Sequence, residues 1–268
     1  MKAYLSFFKI RFIHGLQYRT AAYAGIVTQF AWGFMYIMLY HTFYESNPAN
    51  APMEFSQLSS YIWLQQAFLA LFMTWFLDND IFSLITSGNV AYELCRPMDI
   101  YNTWFMKSCS TRLSKTILRC FPLLTIAFLL PEPYKFRLPS TASAALFFIP
   151  SMFLAFIVVV SYCMLVYIFT FYTISPMGVR MALVMTSDFL SGGLVPLPFL
   201  PDWLTKYIYL SPFAAMQNVP FRIYSGQLPM KQAIVAMGLQ IFWVLVLILI
   251  GKSVMSKALT KVTVDSVK

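Results

Sequence analysis

The chain has 268 residues, of which 59% are hydrophobic and only 11% are charged. A soluble domain usually carries about 25% charged residues because its surface contacts water, so most of the surface of this chain faces lipid. The net charge of +9 does not indicate nucleic-acid binding, because the basic residues lie at the ends of long apolar runs, where cytoplasmic lipid headgroups attract them.

The N-terminal segment, residues 1–20, is basic and aromatic and predicts a retained cytoplasmic segment rather than a signal peptide. Six apolar runs follow, each a predicted transmembrane helix, because about 20 helical residues cross the hydrocarbon core. The runs cover residues 21–44, 58–77, 117–130, 142–172, 177–190 and 230–250. The predicted fold class is therefore all-α, a polytopic membrane protein with six transmembrane helices.

The third run is too short to cross a membrane by itself. It needs the preceding turns, which carry Arg112, Lys115 and Arg119, and these long side chains can reach the inner headgroups. Counted with the N-terminus inside, fourteen lysines and arginines lie on the inner side and five on the outer side. This asymmetry predicts that both termini are cytoplasmic, although Lys135 and Arg137 then lie outside.

Residues 78–102, between the second and third runs, form a cytoplasmic segment that mixes apolar and charged residues. A short amphipathic helix broken at Gly88 would offer an apolar face and a few charges to a soluble partner. Glu93 and Arg96, three residues apart, would project from one helical face. A helix lying on the membrane surface accounts for the pattern equally well.

The fifth run contains Asp188, the clearest ionisable residue inside a predicted span. Such a residue usually faces a pathway or a partner helix, and the alternative is a protonated aspartate bonded to a neighbouring helix. The run ends in a cluster of glycines and prolines, residues 191–201, which cannot continue as a regular helix.

Two short helices are predicted after this cluster, one capped by Asp202 and one beginning at Ser211 with proline at its first position. They would lie on the outer side and dip into the leaflet, where irregular backbone must be covered by protein or line a cavity. The alternative is a plain outer loop in which Trp203 is an interfacial anchor.

No metal, redox or nucleotide site is expected. The four cysteines have no CxxC or CxxH spacing, and the chain has only two histidines. Residues 251–253 read Gly-Lys-Ser, but Val246 stands where a phosphate-binding loop requires glycine.

Taken together, these segments resemble the permease subunits of the ABC-2 exporter superfamily, in the bacterial branch with a separately encoded ATPase. The resemblance covers nearly the whole chain. It rests on the basic N-terminus, on ITSG and LCRPM within residues 85–98, and on SGG, PL, FLP, SPF and IYSG within residues 191–226.

The resemblance implies that residues 1–268 form a single ABC-2 type transmembrane domain. It implies an N-terminal interfacial helix at 1–20, a coupling loop at 78–102 and extracellular re-entrant helices at 196–226. The implied ATPase-coupling residues are Ile85, Gly88, Glu93, Leu94, Arg96 and Pro97. The residues predicted for the pathway or dimer interface are Asp188, Met185 and Phe189. Those predicted for the extracellular gate are Gly192, Gly193, Pro196, Pro198, Pro201 and Trp203.

The function that the resemblance implies is export of an amphiphilic or lipid-like substrate across the bacterial inner membrane by alternating access of a permease dimer. The partners would be an ABC ATPase subunit, which holds ATP and Mg, a second identical or paralogous permease, and membrane lipid. The chain itself would be neither an enzyme nor a nucleic-acid binder, with no catalytic residue and no bound cofactor. The alternative is an ion-coupled secondary transporter that uses Asp188; an intramembrane enzyme would need a second catalytic group facing this aspartate.

The predicted orientation can be tested by labelling single cysteines in a cysteine-free background. Cysteines that replace Ala51 and Gln227 should react with an impermeant maleimide in intact cells, because both positions are predicted to lie outside. A cysteine that replaces Ser256 should react only after permeabilisation. Labelling of this third position in intact cells would reverse the orientation.

Overall fold

The computed structural model describes residues 2–46, 51–139, 141–173 and 176–265, and their regular structure is entirely helical, as predicted. The α-helices are, in chain order, α1 (Lys2–Leu16), α2 (Arg19–Ser46), α3 (Phe55–Ala67), α4 (Leu69–Phe72), α5 (Asn79–Thr86), α6 (Val90–Leu94), α7 (Ile100–Phe128), α8 (Ala142–Phe169), α9 (Pro176–Leu190), α10 (Asp202–Ile208), α11 (Asn218–Tyr224) and α12 (Met230–Asp265).

Among the described residues, three segments are long and apolar enough to cross a membrane: Arg19–Ser46, Ala142–Tyr172 and Met230–Thr260. Helix α7 has 29 residues and a length of about 43 Å, but four basic side chains interrupt its apolar character. Helices α3 and α9 have only 13 and 15 residues. The helix lengths therefore support three spans, and the count of six stays a prediction.

Contacts between the helices define their relative directions. Helices α2 and α3 are antiparallel, because the Tyr44 hydroxyl donates to the Met53 carbonyl at 2.7 Å near their junction, whereas Phe30 stacks on Trp63 farther along both. Helix α9 is likewise antiparallel to the chain that follows α4. The guanidinium of Arg180, near its start, donates to the Asn79 side chain at 2.9 Å, whereas its end contacts residue 74.

Helices α8 and α12 run parallel and pack along most of their lengths. The Ser151 hydroxyl donates to the Gln240 side chain at 3.1 Å, and the Tyr172 hydroxyl donates to the Val254 carbonyl at 3.4 Å. They correspond to the fourth and sixth predicted spans. If consecutive spans cross the membrane in opposite directions, the fourth and the sixth run in the same direction.

The second predicted span is not a continuous helix. Helix α3 ends at Ala67, α4 adds one turn that ends at Phe72, and residues 73–78 are not helical. The prediction of a helix to residue 77 was therefore wrong. The last carbonyl groups of any helix lack partners within it, so an interrupted helix in the protein interior needs donors from elsewhere.

Arg112 of α7 supplies these donors. Its side chain is 2% exposed, and its guanidinium donates to the carbonyl oxygens of Met73 at 2.8 Å, Phe76 at 2.9 Å and Leu71 at 3.2 Å. The same group lies 3.1 Å from the Sγ of Cys163 on α8. The prediction that Arg112 reaches the inner headgroups was wrong, because its guanidinium is buried and donates its hydrogen bonds to these carbonyl oxygens.

Replacing Arg112 with leucine should destabilise the protein. Each buried carbonyl left without a donor costs about 1–3 kcal/mol, so we expect the free energy of unfolding to fall by about 3 kcal/mol or more. The measurement is thermal denaturation in detergent, followed by size-exclusion chromatography. Arg96→Leu is the matched control, because Arg96 is exposed and should tolerate the change. Equal melting temperatures for the two variants would contradict this role of Arg112.

Candidate functional site

The predicted coupling loop folds as two short helices, α5 and α6, with a turn between them. The Asp78 side chain accepts the N–H of Asp80 at 2.9 Å and caps α5, whose residues Ile81 and Phe82 are buried. Gly88 in the turn has a φ of 73°, a left-handed conformation that side chains disfavour. The predicted break at Gly88 is confirmed.

The start of α5 is attached to two long helices. The Nζ atom of Lys107 on α7 lies 2.8 Å from the Asp78 carboxylate, and the backbone N–H of Asp78 donates to the Tyr167 hydroxyl of α8 at 2.6 Å. Lys107 and Tyr167 are buried, so these polar contacts are shielded from water. A displacement of α5 therefore acts directly on α7 and α8.

Helix α6 is attached to α7 by Glu93. The indole N–H of Trp104 donates to one carboxylate oxygen of Glu93 at 3.1 Å, and Arg96 lies 3.5 Å from the other. Val90, at the start of α6, is buried as well. Glu93 and Arg96 share a face, as their spacing predicts, but they pair with each other, and the Glu93 carboxylate is already used within the chain.

The remaining residues of this segment form an open surface. Ile85 packs against the core, whereas Gly88, Leu94, Arg96 and Pro97 are exposed. Tyr92, which the sequence interpretation did not single out, has 76% of its surface exposed. An exposed tyrosine beside an exposed leucine suits a protein contact or the membrane surface. We call Gly88, Tyr92, Leu94, Arg96 and Pro97 the coupling surface, after the role that the sequence predicts for this segment.

The three residues predicted for the pathway or dimer interface lie on two sides of α9. Met185 and Phe189 are exposed and continue a stripe that begins with Met177 and Met181, four residues apart along one face. Asp188 is only 8% exposed and points into the chain. The stripe offers a continuous apolar face to lipid or to another helix.

Asp188 is bonded to the same non-helical stretch that Arg112 binds. The Thr74 hydroxyl donates to the Asp188 carboxylate at 2.8 Å, and the backbone carbonyl of Asp188 accepts the N–H of Gly193 at 2.8 Å. Asp188 therefore links the end of α9 to residues 73–78. Sequence spacing could not reveal this, because Thr74 lies more than 100 residues away.

The predicted gate begins with two glycines in a tight turn. Gly192 has a φ of 81°, and a Cβ atom at Gly193 would lie 2.9 Å from the Asp188 carbonyl oxygen. The Gln65 side chain donates to the Gly193 carbonyl at 2.6 Å. This turn thus requires glycine and joins α9 to α3. Pro196 is buried, Pro198 is half-buried, and Pro201 and Trp203 are exposed.

The short helices after this turn differ from the prediction in their starts. Pro201 occupies the N-cap position of α10, Asp202 is its first helical residue, and the structure has no side-chain cap there. Residues 211–217 form turns, and α11 begins at Asn218 rather than at Ser211. The predicted helix at Asp202 is therefore present, with its cap one residue earlier than predicted, whereas the predicted start at Ser211 was wrong.

Helix α11 packs inside the bundle. Phe221 is fully buried, and its ring centroid lies 5.4 Å from that of Tyr61 on α3 and 5.5 Å from that of Phe72 on α4. Farther along, the Gln240 side chain of α12 donates to the Ala215 carbonyl at 2.9 Å. Helix α11 is therefore enclosed by its neighbours, whereas Trp203 and Tyr207 of α10 are exposed.

Comparison with known proteins places these features in one family context. A family model described as ABC-2 family transporter protein matches residues 30–266, which include the coupling surface, α9 and the segment that contains α10 and α11. No curated protein and no solved structure matches the chain.

Proposed function

The chain belongs to the ABC-2 family of transporters, and we propose that it is the transmembrane permease subunit of an ATP-driven ABC exporter. The family is a membrane transport component that works with an ABC ATPase subunit and is not itself an enzyme. The observation that carries the proposal, besides family membership, is an exposed coupling surface on helices bonded to the long helices. ATP and Mg bind to the partner subunit, and this chain binds neither.

Coupling runs from the ATPase through α5 and α6 to the bundle. The partner docks on Tyr92 and Leu94, which are exposed on α6. The Glu93–Trp104 and Asp78–Lys107 contacts transmit its movement to α7. Because packed helices shift as units rather than deform, closure of the ATPase moves the inner ends of the helices together.

The pathway lies between two permeases, identical or paralogous, that face each other across α9. The exposed stripe from Met177 to Phe189 is rich in methionine, whose flexible and polarisable side chain adapts to irregular apolar partners. Such a surface suits an amphiphilic or lipid-like substrate. The enclosed segment with α11 forms the re-entrant outer gate, through which the substrate leaves.

The exporter resides in the bacterial inner membrane with both termini in the cytoplasm. The outer loop, which carries Lys135 and Arg137, fits this orientation because both bind the Glu132 carboxylate, at 2.6 and 2.8 Å. These hydrogen bonds hold the pKa of Glu132 below its usual range, so the carboxylate stays charged and offsets part of the positive charge of the loop. An ion-coupled mechanism at Asp188 is not favoured, since family membership points to ATP as the energy source.

Substitutions on the coupling surface should abolish ATPase docking without unfolding the permease. For Tyr92→Ala combined with Leu94→Asp, we expect the dissociation constant for the ATPase to rise by about tenfold or more, as for loss of a central contact. The measurements are pull-down of the ATPase subunit and permease-stimulated ATP hydrolysis after reconstitution. Leu138→Asp, on the exposed outer loop, is the matched control.

Glu93→Arg tests the attachment of α6 to α7, whereas the Tyr92 and Leu94 variant tests its exposed surface. This change breaks the bond to Trp104, so we expect lost stimulation together with a lower melting temperature, whereas the surface variant keeps its melting temperature. Normal pull-down and full stimulation by the Tyr92 and Leu94 variant would mean that the ATPase docks elsewhere.

Asp188→Asn should lower transport while ATPase docking stays intact. Asparagine keeps an oxygen that can accept the Thr74 hydrogen bond but removes the ionisable carboxyl group. Transport is measured with a fluorescent amphiphile that stimulates the wild-type complex, beside the same pull-down. Wild-type transport by the purified mutant complex would reduce Asp188 to a structural residue.

A further inference from the structure

A cavity of about 310 Å³ lies between α1, the start of α2 and the middle of α7. Helix α1 runs beside the first half of α7 in the same direction. The Tyr4 hydroxyl accepts the N–H of Asp99 at 2.9 Å near one end, and Gly15 lies against Ser114 near the other. The cavity opens where α1 ends and the chain turns into α2.

The lining of this cavity is strongly basic. Arg11, His14, Lys115 and Arg119 contribute to it, and no aspartate or glutamate does. Arg11 and Arg119 are guanidinium cations and Lys115 is a third basic side chain, and like charges repel one another in a partly desolvated space. An anion bound between them would relieve this repulsion.

The three basic side chains of the lining contact aromatic rings or a backbone carbonyl. Within the part of the chain that the structure describes, Arg11, Lys115 and Arg119 form no ion pair. Arg11 lies over the ring of Phe7 and Lys115 over that of Phe76, contacts that orient the side chains but do not neutralise them. The cavity therefore holds several basic side chains and no acidic one.

Arg119 is held in place before any ligand arrives. Its guanidinium donates to the Ala21 carbonyl at 3.3 Å, and its buried Nε atom has no hydrogen-bond partner. A Cβ atom at Gly25 would lie 2.5 Å from the Arg119 Cζ, so glycine at this position of α2 makes room for the guanidinium. A positioned guanidinium loses little entropy when it binds an oxyanion.

The other side of the cavity is apolar. Leu118 and the ring of Tyr18 line it, and Ile117 and Phe121 are exposed on the adjoining turns of α7. Cations on one side and apolar side chains on the other match a phosphate joined to acyl chains. A free phosphate would use the cations but not the apolar side.

We propose that this cavity binds the phosphate headgroup of an anionic phospholipid, with the acyl chains along Leu118 and Phe121. The lipid joins α1 to α7 beside Lys115 and Arg119. This inference does not depend on the transport proposal, because its test measures lipid binding and not export.

The test is native mass spectrometry of the purified full-length chain in detergent, titrated with phosphatidylglycerol or with phosphatidylcholine. We expect wild-type protein to bind phosphatidylglycerol preferentially. The double variant Lys115→Gln/Arg119→Gln should weaken this binding roughly 30-fold, and Arg11→Gln, which changes an exposed side chain, about fivefold. Lys252→Gln/Lys257→Gln is the matched control, because it removes two exposed charges outside the cavity.

Three results would overturn the proposal. One is equal binding of the two lipids by wild-type protein. Another is equal loss of phosphatidylglycerol binding in the cavity variants and in the control, which would indicate general attraction to basic surface. The third is displacement of phosphatidylglycerol by inorganic phosphate at constant ionic strength, which would make free phosphate the ligand.

Discussion

The interior of this protein depends on one guanidinium. The second apolar run stops being helical at Phe72, and the backbone that follows has carbonyl groups that no helix satisfies. Arg112 binds the carbonyl oxygens of Met73 and Phe76 in this stretch and that of Leu71 just before it, and so allows the interruption. With the carbonyls satisfied, Thr74 is free to bind Asp188, and Asp78 can begin α5. The buried bonds of α9 and the position of the coupling surface both follow from this arrangement.

Three basic residues of α7 illustrate how far position alone predicts a role. Arg112, Lys115 and Arg119 recur at helical spacing, and the sequence suggests one common function at the headgroups. The structure gives each a different neighbour: carbonyl groups for Arg112, the ring of Phe76 for Lys115, and α2 for Arg119. The three residues lie at different heights along α7 and point in different directions around its axis, so similar side chains meet different neighbours.

The sequence predicted the features that depend on composition and local backbone. The apolar runs predicted α2, α8 and α12, and Gly88 predicted the break between α5 and α6. What it missed are pairings between elements, such as Glu93 with Trp104, since hydrogen bonds between helices leave no periodic signal. The start of α11 at Asn218 was also missed. The sequence offers a capping signal at Ser211 but no local signal that Phe221 is buried.

The non-helical stretch of residues 73–78 also determines where the bundle can bend. A helix resists bending because every residue contributes a backbone bond, whereas this stretch is held by side chains from three neighbouring helices. A bend in this stretch breaks no helical backbone bond, and the stretch is fixed to the bundle by Arg112, Asp188 and Tyr167. It joins α4 to α5, and through Thr74 it contacts the end of α9.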